Sequence, residues 1–177
     1  MECKKNLKDR NHNMKENNHT DNRARRTGEL CRLATMNVKS AGKPGALFEL
    51  EAHIAENGAD VTAIQEPYLP HGTPHEMVQG NSLIVAAQSK TTWVVAQRFL
   101  EGKTWAAVNL TDRVSALRVS EMNLLLVNIY APAATKANTK TMRIHFWETL
   151  PGLVKGVKED GDHVCVMGTS TSHFRRG

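Results

Sequence analysis

The sequence has few cysteines and no long apolar run, and each shortage excludes a class of protein. The three cysteines, Cys3, Cys31 and Cys165, are odd in number and widely separated, which argues against a disulfide-stabilised secreted domain and predicts a reducing compartment. No apolar run approaches the roughly 20 residues that a membrane-spanning helix needs, and the polar first twenty residues do not resemble a signal peptide. We therefore expect an intracellular protein, nuclear or cytoplasmic, without a membrane partner.

Common catalytic and metal-binding motifs are also absent. The sequence contains no Gly-rich phosphate loop, no Gly-x-Ser-x-Gly elbow and no Cys-x-x-Cys pair. His71 and His75 have the spacing of helical zinc ligands, but Gly72 and Pro74 disfavour the helix that would align them. The sequence therefore gives no support for a nucleotide-binding loop, a serine hydrolase or a structural zinc site.

Composition divides the chain into two parts. Residues 1–30 carry eight Lys or Arg, five Asp or Glu and only six apolar residues without a helical or strand period. Such a segment buries too little apolar surface to offset its ordering entropy, so we expect a disordered basic tail over 1–30 and a folded domain over 31–177. Within the tail, Arg23, Arg25 and Arg26 form a candidate nucleic-acid-binding patch, and the alternative is a solvated charge run.

From residue 31 onward the pattern mixes strands and helices. One predicted helix has Leu47, Leu50 and Ile54 on one face and ends at Asn57–Gly58, and a second covers Thr139–Leu150 before Pro151–Gly152 interrupts it. Strands are predicted over Arg32–Asn37, Asp60–Gln65, Leu83–Ala87, Trp93–Gln97, Trp105–Leu110, Val114–Val119, Leu124–Tyr130 and His163–Met167. Short strands at this spacing, with two helices among them, indicate an α/β (α+β) sandwich. We expect the tryptophans Trp93, Trp105 and Trp147 to pack in its core.

Two polar residues, Asn37 and Glu66, stand at the carboxyl ends of predicted buried strands. A side chain in that position can project from a rigid framework into a cleft, and a carboxylate beside a neutral amide suits Mg²⁺. The structural alternative is that Asn37 caps a turn and Glu66 is an exposed acid. Spacing alone favours that alternative.

Three segments in order, RLATMNVKSAG, ADVTAIQEPYLP and LLLVNIYAPA, resemble the endonuclease/exonuclease/phosphatase superfamily in its non-LTR retrotransposon endonuclease branch. The resemblance covers residues 31–172, about the first two-thirds of such a domain, and so implies a truncated, C-terminally incomplete four-layer α/β sandwich. It also implies Mg²⁺-dependent hydrolysis of phosphodiester bonds in nucleic acid, with DNA as the partner. Asn37 and Glu66 would then help to bind the metal, and Tyr130 would lie near the scissile phosphate.

The same resemblance exposes a departure from the family pattern. Where that pattern has Gly-Asp-x-Asn, this chain has Gly168 followed by Thr169 at the Asp position and Thr171 at the Asn position. In the family the Asp activates or orients the attacking water and the Asn holds the phosphate, whereas a threonine hydroxyl cannot serve as a base near neutral pH. The late Ser-Asp-His motif is also missing.

We therefore expect an ancestral endonuclease domain that is inactive in this chain and binds Mg²⁺ weakly or not at all. Three alternatives stay open. They are a nucleic-acid-binding module that uses the basic tail, an active phosphodiesterase, and a fragment without a biochemical role.

Overall fold

The computed structural model describes residues 31–39, 41, 45–69, 75–76, 82–85, 90–134 and 139–169. The predicted tail with Arg23, Arg25 and Arg26 lies outside these residues, as does Thr171. The strands are β1 (Leu33–Asn37), β2 (Val61–Gln65), β3 (His75–Glu76), β4 (Ser82–Val85), β5 (Thr91–Ala96), β6 (Trp105–Thr111), β7 (Val114–Val119), β8 (Leu124–Tyr130) and β9 (His163–Thr169). The α-helices are α1 (Ala46–Asn57), α2 (Gln97–Leu100) and α3 (Lys140–Val157). None of these described helices is long and apolar enough to span a membrane.

The strands form two sheets, and each sheet contains one parallel pair. One sheet has the order β1-β2-β5-β4-β3 and the other has the order β6-β7-β8-β9. β1 runs parallel to β2 and β8 runs parallel to β9, while the remaining pairs are antiparallel. Parallel neighbours need a crossover connection, which α1 supplies between β1 and β2 and α3 supplies between β8 and β9.

Alternation along the strands produces four layers. The inward residues of both sheets, among them Val61, Trp93 and Leu126, form one cluster between the sheets. The outward residues of the first sheet pack under α1, and those of the second sheet pack under α3. β8 lies between β7 and β9, and Leu125–Ile129 are buried, as its apolar sequence predicts. The predicted four-layer α/β sandwich is confirmed.

Two predictions about α3 are wrong. The helix does not stop at Pro151 but continues to Val157, because Pro151 lies on the exposed side, where water can reach the carbonyl left without an N–H partner. Beyond it, Leu153, Val154 and Val157 still pack against the second sheet and hold the last turns. Trp147 was expected in the core but is 47% exposed, since Phe146 and Leu150 occupy the face that meets the sheet.

Candidate active site

Four residues that end strands or directly follow them meet at one end of the sandwich. The parallel register of β1 and β2 sets Asn37 opposite Gln65, so Glu66, the next residue, lies beside Asn37. The register of β8 and β9 sets Tyr130 opposite Thr169 in the second sheet. The fold thus brings together the sequence-predicted residues Asn37, Glu66, Tyr130 and Thr169.

Glu66 is held by three side chains. The amide nitrogen of Asn37 donates to Glu66 Oε1 at 2.8 Å, the Tyr130 hydroxyl donates to the same carboxylate, and the Tyr68 hydroxyl lies 3.5 Å from Oε2. The hydrogen bond from Asn37 is the largest cause that holds the pKa of Glu66 below its ordinary value of 4.5, and the one from Tyr130 follows. Partial burial opposes this shift, while the charge of Lys39 supports it. Glu66 is therefore ionised at neutral pH.

Asn37 also has the role that the structural alternative gives it. Its Oδ1 accepts a hydrogen bond of 3.1 Å from the backbone N–H of Lys39, which caps the turn after β1. The two interpretations of Asn37 are therefore compatible, because one end of its amide serves the turn and the other end fixes Glu66.

Tyr130 is a neutral hydrogen-bond donor in this site. Burial, followed by the hydrogen bond to Glu66 and its negative charge, raises the pKa of Tyr130 to about 12. The guanidinium of Arg113 lies over the Tyr130 ring, 5.2 Å from its centroid, and Arg113 Nη1 donates to the Tyr130 carbonyl at 3.4 Å. Sequence reasoning missed Arg113, because only the pairing of β7 with β8 brings it to Tyr130.

A buried pair of amides joins the two sheets behind the site. Gln65 Nε2 donates to Asn128 Oδ1 at 2.7 Å, and Asn128 Nδ2 donates to the carbonyls of Ile64 and Thr92 at 3.0 and 2.8 Å. Both amide side chains are fully buried. Sequence reasoning gave these residues no role, although a polar residue within each apolar strand, VTAIQ and LLLVNIY, was the available signal.

Backbone strain is concentrated around Glu66. Lys39, Glu66 and Tyr68 have φ values of 49°, 55° and 46°, in the left-handed region that non-glycine residues rarely adopt. Within the described part of the chain, Asn123 is the only other non-glycine residue with a positive φ. Strain of this kind, about 1–3 kcal/mol per residue, persists where surrounding contacts enforce it and is frequent at functional sites.

On the β9 side of the site, the glycine of the Gly-Asp-x-Asn pattern is present as Gly168, but Thr169 stands where the pattern has Asp. Gly168 has a φ of 138°, and a Cβ atom there would overlap the carbonyl of Ile129 on β8, so only glycine fits. The next residue, Thr169, has a buried hydroxyl with no hydrogen-bond partner among the described residues.

The ligand atoms available at this site suit a weakly bound hard cation such as Mg²⁺. The described residues contain no group of three or more His, Cys, Asp or Glu that could hold a metal ion. Mg²⁺ nevertheless needs only one or two protein carboxylates, because water and substrate phosphate complete its octahedron. The ionised carboxylate of Glu66 meets that minimum, while Asn37 directs its amide nitrogen to Glu66 and its Oδ1 to the N–H of Lys39.

Comparison with solved structures identifies the fold. An AP endonuclease from Archaeoglobus fulgidus superposes with a TM-score of 0.55 at 16% identity over 78% of this chain. The endonuclease domain of TRAS1, a telomere-specific non-LTR retrotransposon, superposes with a TM-score of 0.50 at 17% identity over 81% of this chain. The chain has the endonuclease/exonuclease/phosphatase fold. No protein-family model matches the sequence, and no curated protein matches it either.

This fold is the one that the resemblance of the three sequence segments implies, so the predicted fold is confirmed. This chain spans 56% of the AP endonuclease chain and 60% of the TRAS1 chain. At these identities the likeness establishes the fold and not the chemistry.

Proposed function

We propose that this chain is a catalytically inactive domain of endonuclease/exonuclease/phosphatase type that still binds Mg²⁺ weakly, together with a phosphodiester of nucleic acid. The observation that carries this proposal is an ionised Glu66 fixed by Asn37 and Tyr130, with Thr169 paired to Tyr130 on the neighbouring strand. Its ancestral activity is Mg²⁺-dependent hydrolysis of DNA by a retrotransposon endonuclease, in line with the TRAS1 neighbour.

The binding half of the chemistry is assigned to residues at or directly after the ends of β1, β2 and β8. Glu66 and Asn37 would hold Mg²⁺, which when bound supplies positive charge to a phosphate oxygen. The Tyr130 phenol, with a pKa of about 12, stays protonated and can donate a hydrogen bond to the phosphate. Arg113, stacked on the Tyr130 ring, keeps that phenol in place.

The hydrolytic half of the chemistry has a threonine, and not a base, at the end of β9, the last strand that the structure describes. A general base must accept a proton from the attacking water, and the Thr169 hydroxyl remains protonated near neutral pH. No carboxylate stands at the end of β9 to replace it within the described residues. The site can therefore hold a phosphodiester without activating water against it.

A nucleic-acid-binding test separates this proposal from tail binding. We would measure the anisotropy of a labelled DNA oligonucleotide, with and without Mg²⁺, for the parent chain and for Glu66→Gln. Glu56→Gln is the matched control, since Glu56 is an exposed acid at the far end of α1. We expect the Mg²⁺-dependent part of binding to weaken about tenfold in Glu66→Gln, because a charge-assisted contact of about 1.4 kcal/mol is lost.

The alternative is a module that binds nucleic acid through the basic tail, whose net charge of +3 favours phosphate contacts. Replacing Arg23, Arg25 and Arg26 by Gln in the full chain tests it. Complete loss of binding in that triple variant, with undiminished Mg²⁺-dependent binding in Glu66→Gln, would replace our proposal by the tail-binding one.

A further inference from the structure

The loop after β2 turns one aromatic ring away from the core. Pro67 is buried and Leu69 packs with the cluster under α1, whereas Tyr68 between them is 54% exposed. An aromatic ring serves stability by burying its surface, and this ring leaves more than half of its surface in water. Stability of the folded core does not account for a tyrosine at this position.

The exposed position of Tyr68 is maintained against backbone strain. Its φ of 46° is unfavourable for a bulky residue, whereas Asn123 tolerates the same φ because asparagine commonly adopts this conformation. Two backbone hydrogen bonds hold the loop in place, from Ala41 N–H to the Pro67 carbonyl at 2.7 Å and from Glu66 N–H to the Lys90 carbonyl at 2.8 Å. Glycine would adopt this φ without strain, so the side chain of Tyr68 is the feature that the strained loop presents.

The ring lies beside the proposed phosphate site. The Tyr68 hydroxyl is 3.5 Å from Glu66 Oε2, and the exposed Lys39, on the neighbouring loop, is close enough for its charge to act on Glu66. An aromatic face next to a cation and a phosphate-binding group is the arrangement by which proteins bind unpaired nucleotides, where bases stack on the ring.

We propose that Tyr68 stacks on an unpaired base of the nucleic-acid strand whose phosphate lies at Glu66. The proposal rests on the proposed function and adds to it that the preferred ligand is single-stranded or locally unpaired. Stacking of one base on an aromatic residue changes Kd by roughly 5- to 150-fold, so the contribution of Tyr68 is large enough to measure.

The test uses the full chain, Mg²⁺ and a labelled single-stranded DNA oligonucleotide, with a blunt duplex of the same sequence as the comparison. Tyr68→Phe keeps the ring and removes the hydroxyl, so we expect the Kd to stay within about twofold. Tyr68→Gly removes the ring and relieves the strain, so we expect the Kd for the single strand to rise at least about fivefold while Tm does not fall. Asn123→Gly is the matched backbone control and should change neither Kd nor the preference for single strands.

Each outcome has one meaning. Parent-like binding by Tyr68→Gly, or equal affinity for single strand and duplex, would overturn the stacking proposal. The proposed function would survive that result as long as Glu66→Gln still weakens Mg²⁺-dependent binding. An equal loss in Tyr68→Phe and Tyr68→Gly would show that the hydroxyl on Glu66 matters rather than the ring. A parent chain that binds neither DNA would overturn both proposals.

Discussion

The β2 side and the β9 side of the site differ in the side chain that each one contributes. On the β2 side, Glu66 is ionised and is hydrogen-bonded by Asn37 and Tyr130. On the β9 side, Gly168 allows the close approach to β8, but Thr169 has a buried hydroxyl without a partner among the described residues. The comparison teaches that packing constraints hold a strand in place even where the residue at its end differs from the Gly-Asp-x-Asn pattern of the family that the sequence resembles.

Gly168→Ala, on the β9 side, is the change for which we expect the largest loss of stability. The added Cβ would overlap the backbone carbonyl of Ile129, and backbone atoms cannot move aside as a flexible side chain could. We expect the free energy of unfolding, measured in urea, to fall by about 3 kcal/mol or more. Gly156→Ala on α3 is the control, where the added Cβ meets nothing within 4 Å, and it should raise stability by about 0.5–1 kcal/mol. Equal stability of the two variants would refute the close approach of β9 to β8.

Removing the amide pair behind the site should cost somewhat less. Asn128→Ala removes the shortest hydrogen bond of Gln65 Nε2. It also removes the hydrogen bonds that Asn128 Nδ2 donates to the carbonyls of Ile64 and Thr92. We expect a loss of about 2–3 kcal/mol in urea unfolding, because these groups are buried. Asn57→Ala, which removes one exposed hydrogen bond to His53, should change stability by about 0.5 kcal/mol or less. A small loss in Asn128→Ala would mean that water replaces the amide.

Thr169→Asp sharpens the comparison by placing a carboxylate on the β9 side. Without metal, an extra buried charge near Glu66 should lower the free energy of unfolding by about 1–3 kcal/mol. Added Mg²⁺ should recover part of this loss, because a ligand that binds only the folded state stabilises it. The measurement is Tm against Mg²⁺ concentration, with Thr169→Asn as the uncharged control. If Tm responds to Mg²⁺ no more in Thr169→Asp than in the parent, position 169 does not face the metal site.

The smallest expected effect is the acid dependence of stability at Glu66. The pKa of Glu66 is lower in the folded chain than its ordinary 4.5, so its stabilising contribution is present above that value and is lost as pH falls through the folded pKa. The stability difference between the parent and Glu66→Gln should therefore shrink below pH 4.5. Asn37→Ala removes the largest cause of the shift and should move the loss toward 4.5, as measured by carboxyl NMR titration. An unchanged pKa of Glu66 in Asn37→Ala would contradict the assigned cause.

Local pattern and motif order predicted most of the fold. β7 and β8 begin and end where alternation and the apolar run predict, and Gly58, with a φ of 61°, ends α1 as expected. The continuation of α3 through Pro151 could not be predicted, because packing against the second sheet outweighs the local penalty of a proline.

Site residues at strand ends could be predicted from the sequence, whereas residues brought to the site by tertiary pairing could not. Asn37 and Glu66 could be proposed from the sequence because strand ends are visible in it. Arg113 is the turn residue directly before β7, and only the pairing of β7 with β8 brings it over Tyr130. The exposed position of Tyr68 depends on a left-handed φ, which the residue types in the loop do not predict.

The central claim is that this site binds a phosphodiester but does not cleave it. The most direct test incubates supercoiled plasmid with Mg²⁺ and compares nicking by the parent chain and by Glu66→Ala. Loss of a general base alone reduces rates by roughly 10²- to 10⁴-fold, so we predict no nicking by the parent above the level of Glu66→Ala. Nicking by the parent that disappears in Glu66→Ala would contradict the account and show that Thr169 does not prevent catalysis.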